Sequence, residues 1–247
     1  MNNKDLTVSV FNLGAWSFFG VELKKPIISE KALKYNFTIE GDIGGTFRFL
    51  KKNTGLRLIQ ECKKIWDKEN FKMGWDIIEK LSLEAQPFQF FINPDDKLFL
   101  NPPNMIKAIR QYCKSQSNKF PKTVGEISRA AFESLALSYK HKLNIFEDII
   151  QKEAKILFII GGGSQISLLN QFTSNALNLI VYAGPIEATA ISNILIQALA
   201  RDKIDNVSDL RTIVRSSFPI KEYLPKDTNL WEKAYDSYLR IIDLKFL

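Results

Sequence analysis

Lys155 to Asn170, KILFIIGGGSQISLLN, changes character twice within a few residues. Lys155 to Ile160 is an almost wholly apolar and partly β-branched run, too short for a free-standing helix and of the length of a buried strand. Gly161, Gly162 and Gly163 follow, and beyond Ser164 the apolar residues Ile166, Leu169, Phe172 and Ala176 recur at helical spacing. The pattern predicts a buried strand, a tight glycine turn, and a helix with Ser164 at its N-cap. Glycine at such a turn permits positive φ and lets a ligand approach the main chain with no Cβ in the way. The first N–H groups of the helix have no partner within it, so they are expected to point out of the turn towards an anion or a nucleobase edge. No GKS or GKT follows, which excludes a P-loop, and the spacing is not G-x-G-x-x-G, so the Rossmann fingerprint does not apply. From three glycines alone, a tight turn with no ligand fits equally well.

The 247 residues suffice for one large domain or two small ones around a substantial core. A composition of 45% hydrophobic and 25% charged residues places the chain among soluble globular proteins. No apolar run reaches the length of a membrane span. The opening MNNKDLTVSVFNLGAW carries Asp5 and no apolar core, so no signal peptide is expected. Cys62 and Cys113 stand far apart without metal-type spacing, as in a reduced cytoplasmic protein with two ordinary thiols. His141, the single histidine, falls in a predicted helix and reads as a solvated or half-buried side chain rather than a catalytic base. The net charge of +7 raises the question of nucleic acid. The lysines are mixed with acids, however, as in KKIWDKEN, and RNP-type aromatic motifs are absent. Such a surface suits polyphosphate or other anions better than a dedicated nucleic-acid reader.

Thr7 to Leu13 and Ala15 to Leu23 read as strands around a turn at Gly14, with Phe37 to Glu40 a third before the glycine-rich bend Gly41 to Gly45. A helix is expected from Thr46 to Trp66, with Phe49, Leu56, Ile59 and Cys62 inward and Asn53-Thr54-Gly55 weakening its middle. A polar, aromatic segment then runs to Phe91. Asn93 to Asp96 is turn chemistry, in which the adjacent Asp95 and Asp96 are expected to be solvated. Met105 to Lys114 reads as a short helix. Thr123 and Glu126 form a capping box that launches a long helix with Ile127, Ala131, Leu135, Tyr139, Leu143, Phe146 and Ile150 on its inner stripe. After the glycine turn come a strand at Ile180 to Ala183, a turn at Gly184-Pro185, a helix from Glu187 to Ala200, a short helix capped by Ser208, an extended piece from Phe218 to Pro225, and a terminal helix from Trp231 to Ile242. Antiparallel strands first, then helices, then a strand–helix–strand unit with a right-handed parallel crossover describe an α/β fold with a mixed sheet flanked by helices.

These pieces together resemble the C-terminal half of an FGGY-type carbohydrate kinase, nearest its rhamnulokinase branch. The matching segments are GAWSFFGVEL from Gly14, NFTIEGDIGGTFRFLKK from Asn36, FPKTVGEISRAAFESLALSYK from Phe120, IIGGGSQISLLNQFTSNAL from Ile159, AGPIEATAISN from Ala183 and RSSFPIKEYLP from Arg215. They occur in family order across nearly the whole chain. The resemblance implies an actin-like, ribonuclease-H-like ATPase domain over residues 1–247, with residues 226–247 as a helical extension packed on it. It also implies one lobe of a two-lobe kinase that holds ATP or ADP with Mg2+ in the cleft between lobes. It assigns nucleotide contact to Gly162, with Gly161 and Gly163 shaping the turn, and to Gln60. Gly14 and Lys52 are weaker nucleotide positions.

Departures from the family pattern are as informative. Ala15 stands where the family presents a threonine to the ATP phosphates, a lost donor worth on the order of 1–3 kcal/mol. Lys52 replaces an asparagine, for which Asn53 substitutes only if the register shifts; Ser192 and Ile166 also differ from the motif. The family's general-base aspartate and sugar pocket belong to its N-terminal half, and Asp5 lacks the matching context. The expectation is a chain inactive alone and completed by a separately encoded N-terminal lobe. Two other readings are a decayed remnant that binds nucleotide weakly and a basic nucleic-acid module. A bared interlobe face also predicts a homodimer.

Overall fold

The computed structural model describes residues 7–14, 16–69 and 73–243. Its elements, in chain order, begin with β1 (Thr7–Leu13), β2 (Trp16–Leu23), α1 (Glu30–Lys34), β3 (Phe37–Gly41), β4 (Phe47–Thr54) and α2 (Arg57–Lys68). Next come α3 (Trp75–Glu84), α4 (Met105–Ser117), α5 (Val124–Ile150), β5 (Ala154–Ile160) and α6 (Ser167–Leu177). The chain closes with β6 (Ile180–Ala183), α7 (Ala188–Ala200), α8 (Val207–Ser217), β7 (Lys221–Tyr223) and α9 (Thr228–Asp243). The strands form one seven-stranded sheet in the order β3-β4-β2-β1-β5-β6-β7. β1, β5 and β6 run parallel, and the remaining pairs are antiparallel. This is the α/β architecture with a mixed sheet that the order of elements implies.

The expected helix from Thr46 is corrected. Phe47–Thr54 is β4, paired with β2 on one side and β3 on the other. Alternation decides it: Phe49 and Asn53 turn into the core while Arg48 and Lys52 stay exposed. Phe49 stacks on Phe37 across the sheet, with ring centroids 4.7 Å apart. Only the later part of the apolar series belongs to a helix, with Leu56 at the N-cap and Ile59 and Cys62 within α2, so Gly55 marks a boundary rather than a weak point.

The segment read as polar and aromatic contains α3, which packs on α5. The contact is close because a Cβ on Gly125 would lie 2.3 Å from the Leu81 carbonyl oxygen. Beside it the hydroxyls of Ser82 and Ser128 meet at 2.7 Å. α5 opens with the capping box as read: Glu126 N–H donates to the Thr123 hydroxyl at 3.2 Å and Thr123 N–H to the Glu126 carboxylate at 2.9 Å. The whole inner stripe is buried apart from the half-buried Ile150. Phe146 packs edge-on against Phe19, with centroids 5.1 Å apart, which sets α5 on the face of the sheet that also buries Val21, Phe49, Leu157 and Val181. Trp231 of α9 lies between Phe88 and Phe172, each at 5.1 Å.

The opposite face is less covered. Trp16 and Phe18 are 39% and 38% exposed, and Phe158 and Tyr182 stack at 5.5 Å while half-buried. α8 touches this side through Arg211, 2.9 Å from Glu22. On α7, Ile194 is 67% exposed. The cap of α8 is Asn206, whose side chain accepts from Ser208 and Asp209 N–H, and not Ser208 itself. No described helix is long and apolar enough to cross a membrane.

Candidate functional site

After β1 the chain turns to β2 on one side of the sheet. After β5 it returns through α6 to β6 on the other. The crevice outside the carboxyl ends of two parallel neighbours that diverge in this way is where open α/β sheets hold ligands. Register places Asn12 opposite Ile160, so Leu13 and Gly14 emerge beside the glycine turn.

The three glycines do different work. Gly161 has φ 84° and ψ −173°, a conformation essentially confined to glycine. Its N–H donates to the Pro185 carbonyl at 3.2 Å, which ties the turn to the end of β6. Gly163 is buried, and a Cβ there would lie 2.3 Å from Cγ of Leu13. Among the described residues Gly162 faces open space, with nothing within 4 Å of where its Cβ would be. A flat ligand can therefore reach the main chain at Gly162 but not at Gly163, which Leu13 covers.

The cap is corrected. Ser164 donates its hydroxyl back to the Gly161 carbonyl at 2.7 Å and closes a short 3-10 turn over Gly162–Gln165. α6 begins only at Ser167, after Ile166, which has no capping side chain. Its early N–H groups do not point freely outward: Leu168 N–H donates to the Glu79 carboxylate of α3 at 2.7 Å. Burial pushes the Glu79 pKa up, hydrogen bonds from Leu168 and Ser167 and the Lys221 ammonium pull it back, and Asp76 adds to the rise.

Gly14 joins the same corner, its carbonyl accepting from Leu56 N–H at 2.8 Å just before α2. Ala15 lies outside the described residues. Lys52 is exposed, with its ammonium 4.2 Å from the centroid of the Trp16 ring. Both border a cavity of about 350 Å3 with Arg57, Asp95, Lys97 and Leu100. Asn53 does not take over from Lys52: register pairs it with Ser17, and it points into the core. Gln60 is half-buried one turn into α2, and no described hydrogen bond joins its side chain to the glycine turn. The structure thus brings Gly14, Gly161, Gly162 and Gly163 together, sets Lys52 at the adjoining strand end, and leaves Gln60 on a separate element. Ser192 is exposed on α7 and Ile166 is buried.

Asp95 and Asp96 are engaged rather than merely solvated. Asp95 accepts from Thr54 N–H at 3.2 Å and pairs with the buried Lys142 at 2.6 Å, while Asp96 accepts from Leu98 N–H at 2.9 Å. Burial would raise the Asp95 pKa, but Lys142 and the hydrogen bonds from Lys142 and Thr54 outweigh it and hold it below its ordinary value. Burial lowers the pKa of nearby Lys51, and repulsion from Lys142 adds to this. Cys62 and Cys113 are buried; burial pushes both thiols up, Cys113 to about 12, so neither is poised as a nucleophile. His141 is half-buried, with Nδ1 3.2 Å from the Tyr235 hydroxyl. The sequence reading missed Glu79, since a carboxylate on an unrecognised helix has no place to be assigned.

A family model described as the FGGY family of carbohydrate kinases, C-terminal domain, matches residues 10–201. The rhamnulokinase of Bacteroides thetaiotaomicron is 39% identical over 231 residues, covering 94% of this chain and 47% of that protein. The rhamnulokinase of Bacillus subtilis is 42% identical over 214 residues, 87% of this chain and 44% of that protein. Among solved structures, xylulose kinase from Rhodospirillum rubrum superposes with a TM-score of 0.72 at 13% identity, over 98% of this chain and 48% of its own. Plasmodium falciparum glycerol kinase with ADP does so with a TM-score of 0.71 at 12% identity, over 97% and 47%. The structural likenesses establish an actin-like ATPase fold, and the chain spans about half the length of the curated relatives it matches. With the family match and the relatives in agreement, the chain belongs to the FGGY family of carbohydrate kinases, as its rhamnulokinase-like C-terminal domain.

Proposed function

We propose that this chain supplies the nucleotide-binding lobe of a sugar kinase that transfers phosphate from ATP to the C1 hydroxyl of a ketose, a rhamnulokinase reaction. The observation that carries the reading is the open main chain at Gly162, fixed between the strained Gly161 and the packed Gly163 beside the Gly14 turn. Adenosine fits a surface of exposed peptide over which no described side chain comes within 4 Å of a Cβ at Gly162. Lys52 and Arg57 put positive charge at the neighbouring strand end, where it would face phosphate oxygens. Main-chain amides and cations fit a nucleotide and do not fit a Mg2+ ion. Among the described residues no group of three or more carboxylate, histidine or cysteine side chains could hold one.

Phosphoryl transfer is mostly positioning and charge stabilisation, with a base to accept the sugar hydroxyl's proton. Asp95 and Asp96, which line the cavity beside Lys52, are both engaged, and on this reading the base and the sugar pocket come from a second lobe. That lobe, or a second copy of this chain in its absence, would cover the sheet face that carries Trp16 and Phe18. The test is turnover of rhamnulose with ATP by the purified 247-residue chain, alone and with an added N-terminal kinase lobe. The expected result is no product alone and recovered turnover with the second lobe; sugar phosphate formed by the chain alone would overturn it.

A further inference from the structure

We propose that Glu79 is the positioning residue of the glycine turn: its carboxylate is an internal anion that fixes the start of α6, and through Asn170 and Ser164 the main chain at Gly161–Gly163. The functional part of this inference rests on the nucleotide reading of that turn.

A helix start leaves its first N–H groups without partners, and the usual remedy is a short polar side chain at the N-cap. α6 has Ile166 there and so has no such remedy. Glu79 supplies the acceptor from α3, far off in sequence, through Leu168 N–H at 2.7 Å and Ser167 N–H beside it. β7 grips the same point, since the Ser167 hydroxyl lies 3.1 Å from the Lys221 ammonium and 3.2 Å from the Tyr223 hydroxyl. A negative charge at a helix start is stabilising, and it also closes that start to a second anion.

From this fixed start the order passes back into the turn. Asn170 is fully buried one turn into α6, and its amide Nδ2 donates to the Ser164 carbonyl at 2.8 Å. Ser164 Oγ donates to the Gly161 carbonyl at 2.7 Å, and Ile166 N–H donates to the Gly163 carbonyl at 3.0 Å. Gly161, Gly163 and Ser164 are therefore each tied by a hydrogen bond to the turn itself or to α6. With Glu79 in place, the glycine turn offers a ligand neutral peptide surface, suited to the nucleoside, while phosphate is directed away from α6.

The test is amide hydrogen exchange of the whole chain without nucleotide, in wild type, Glu79→Ala and Glu79→Gln, each with and without acetate. In Glu79→Ala the amides from Gly161 to Leu168 should exchange about tenfold faster or more, while those of Leu157 and Ile159 in β5 stay unchanged. Acetate, which can occupy the vacated helix start, should restore the slow exchange in Glu79→Ala and leave the wild type unaffected. A merely structural loss of packing would not respond to acetate. Should Glu79→Ala fail to fold, Glu79→Gln, with an acceptor oxygen but no charge, should show the same acceleration to a lesser degree. Unchanged exchange at Gly161 to Ser164 in the folded variant, or no response of Glu79→Ala to acetate, would overturn the proposal. Because no nucleotide is present, a wild-type chain that failed to bind ADP would count against the nucleotide reading and leave this result standing.

Discussion

Gly163 sits so close to Leu13 that a Cβ on the glycine would lie 2.3 Å from the leucine Cγ. Leu13 is fully buried and ends β1, so it cannot yield without disturbing the central strands. Gly163→Ala should therefore destabilise the fold by about 1–3 kcal/mol through overpacking. Gly162→Ala, whose Cβ meets no described atom within 4 Å, should change stability by less than about 0.5 kcal/mol. Urea denaturation of both variants checks the contrast.

Arg129 and Glu133 make a buried pair on α5, 2.6 Å apart, with Glu133 also accepting from Phe88 N–H at 2.9 Å. Arg129 donates in addition to the carbonyls of Ser82, Leu83 and Ala85, at the end of α3. Arg129→Met would strand a buried carboxylate and uncap α3, with an expected loss of about 3–5 kcal/mol. The same change paired with Glu133→Leu should recover much of that loss. A double-mutant cycle in thermal or urea unfolding measures it.

Asp95 and Lys142 give a pH dependence of definite sign. The folded state holds the Asp95 pKa below its ordinary value of 3.8. Between the folded value and 3.8 the unfolded chain binds more protons, so the pair's contribution is full above that window and fades as the pH falls through the folded value. Asp95→Asn should thus be less stable than wild type at neutral pH, with the gap closing in acid. Stability measured across acid pH, with wild type and variant in parallel, reads the sign directly.

The parts of the fold readable in the sequence are those fixed locally. The Thr123–Glu126 capping box, the apolar run of β5 and the turn at Gly14 carry their own signals, and each stands where the pattern put it. The failures lie where a distant segment decides. Phe49, Leu56 and Ile59 share a helical spacing, yet Phe49 belongs to a strand because it pairs with Val21 on one side and Ile39 on the other and stacks on Phe37. α3 owes its place to Gly125 and Ser128, far along the chain. Ser164 has the chemistry of an N-cap, but Glu79 reaches α6 from 89 residues away and leaves the serine to close the turn. At the candidate site the glycines were legible because backbone geometry restricts the residue type, whereas the partners of Asp95 and Glu79 depend on tertiary contact.

Whether Gly162 is a surface for nucleoside decides what this lobe does. Isothermal titration of ADP into the wild-type chain and into Gly162→Val tests this directly, because valine at an open position fills the ligand's place without straining the fold. The expected result is measurable ADP binding by wild type, weakened about tenfold or more in Gly162→Val, with an unchanged melting temperature. Equal affinity in the two proteins, or no binding by a folded wild-type chain, would contradict it.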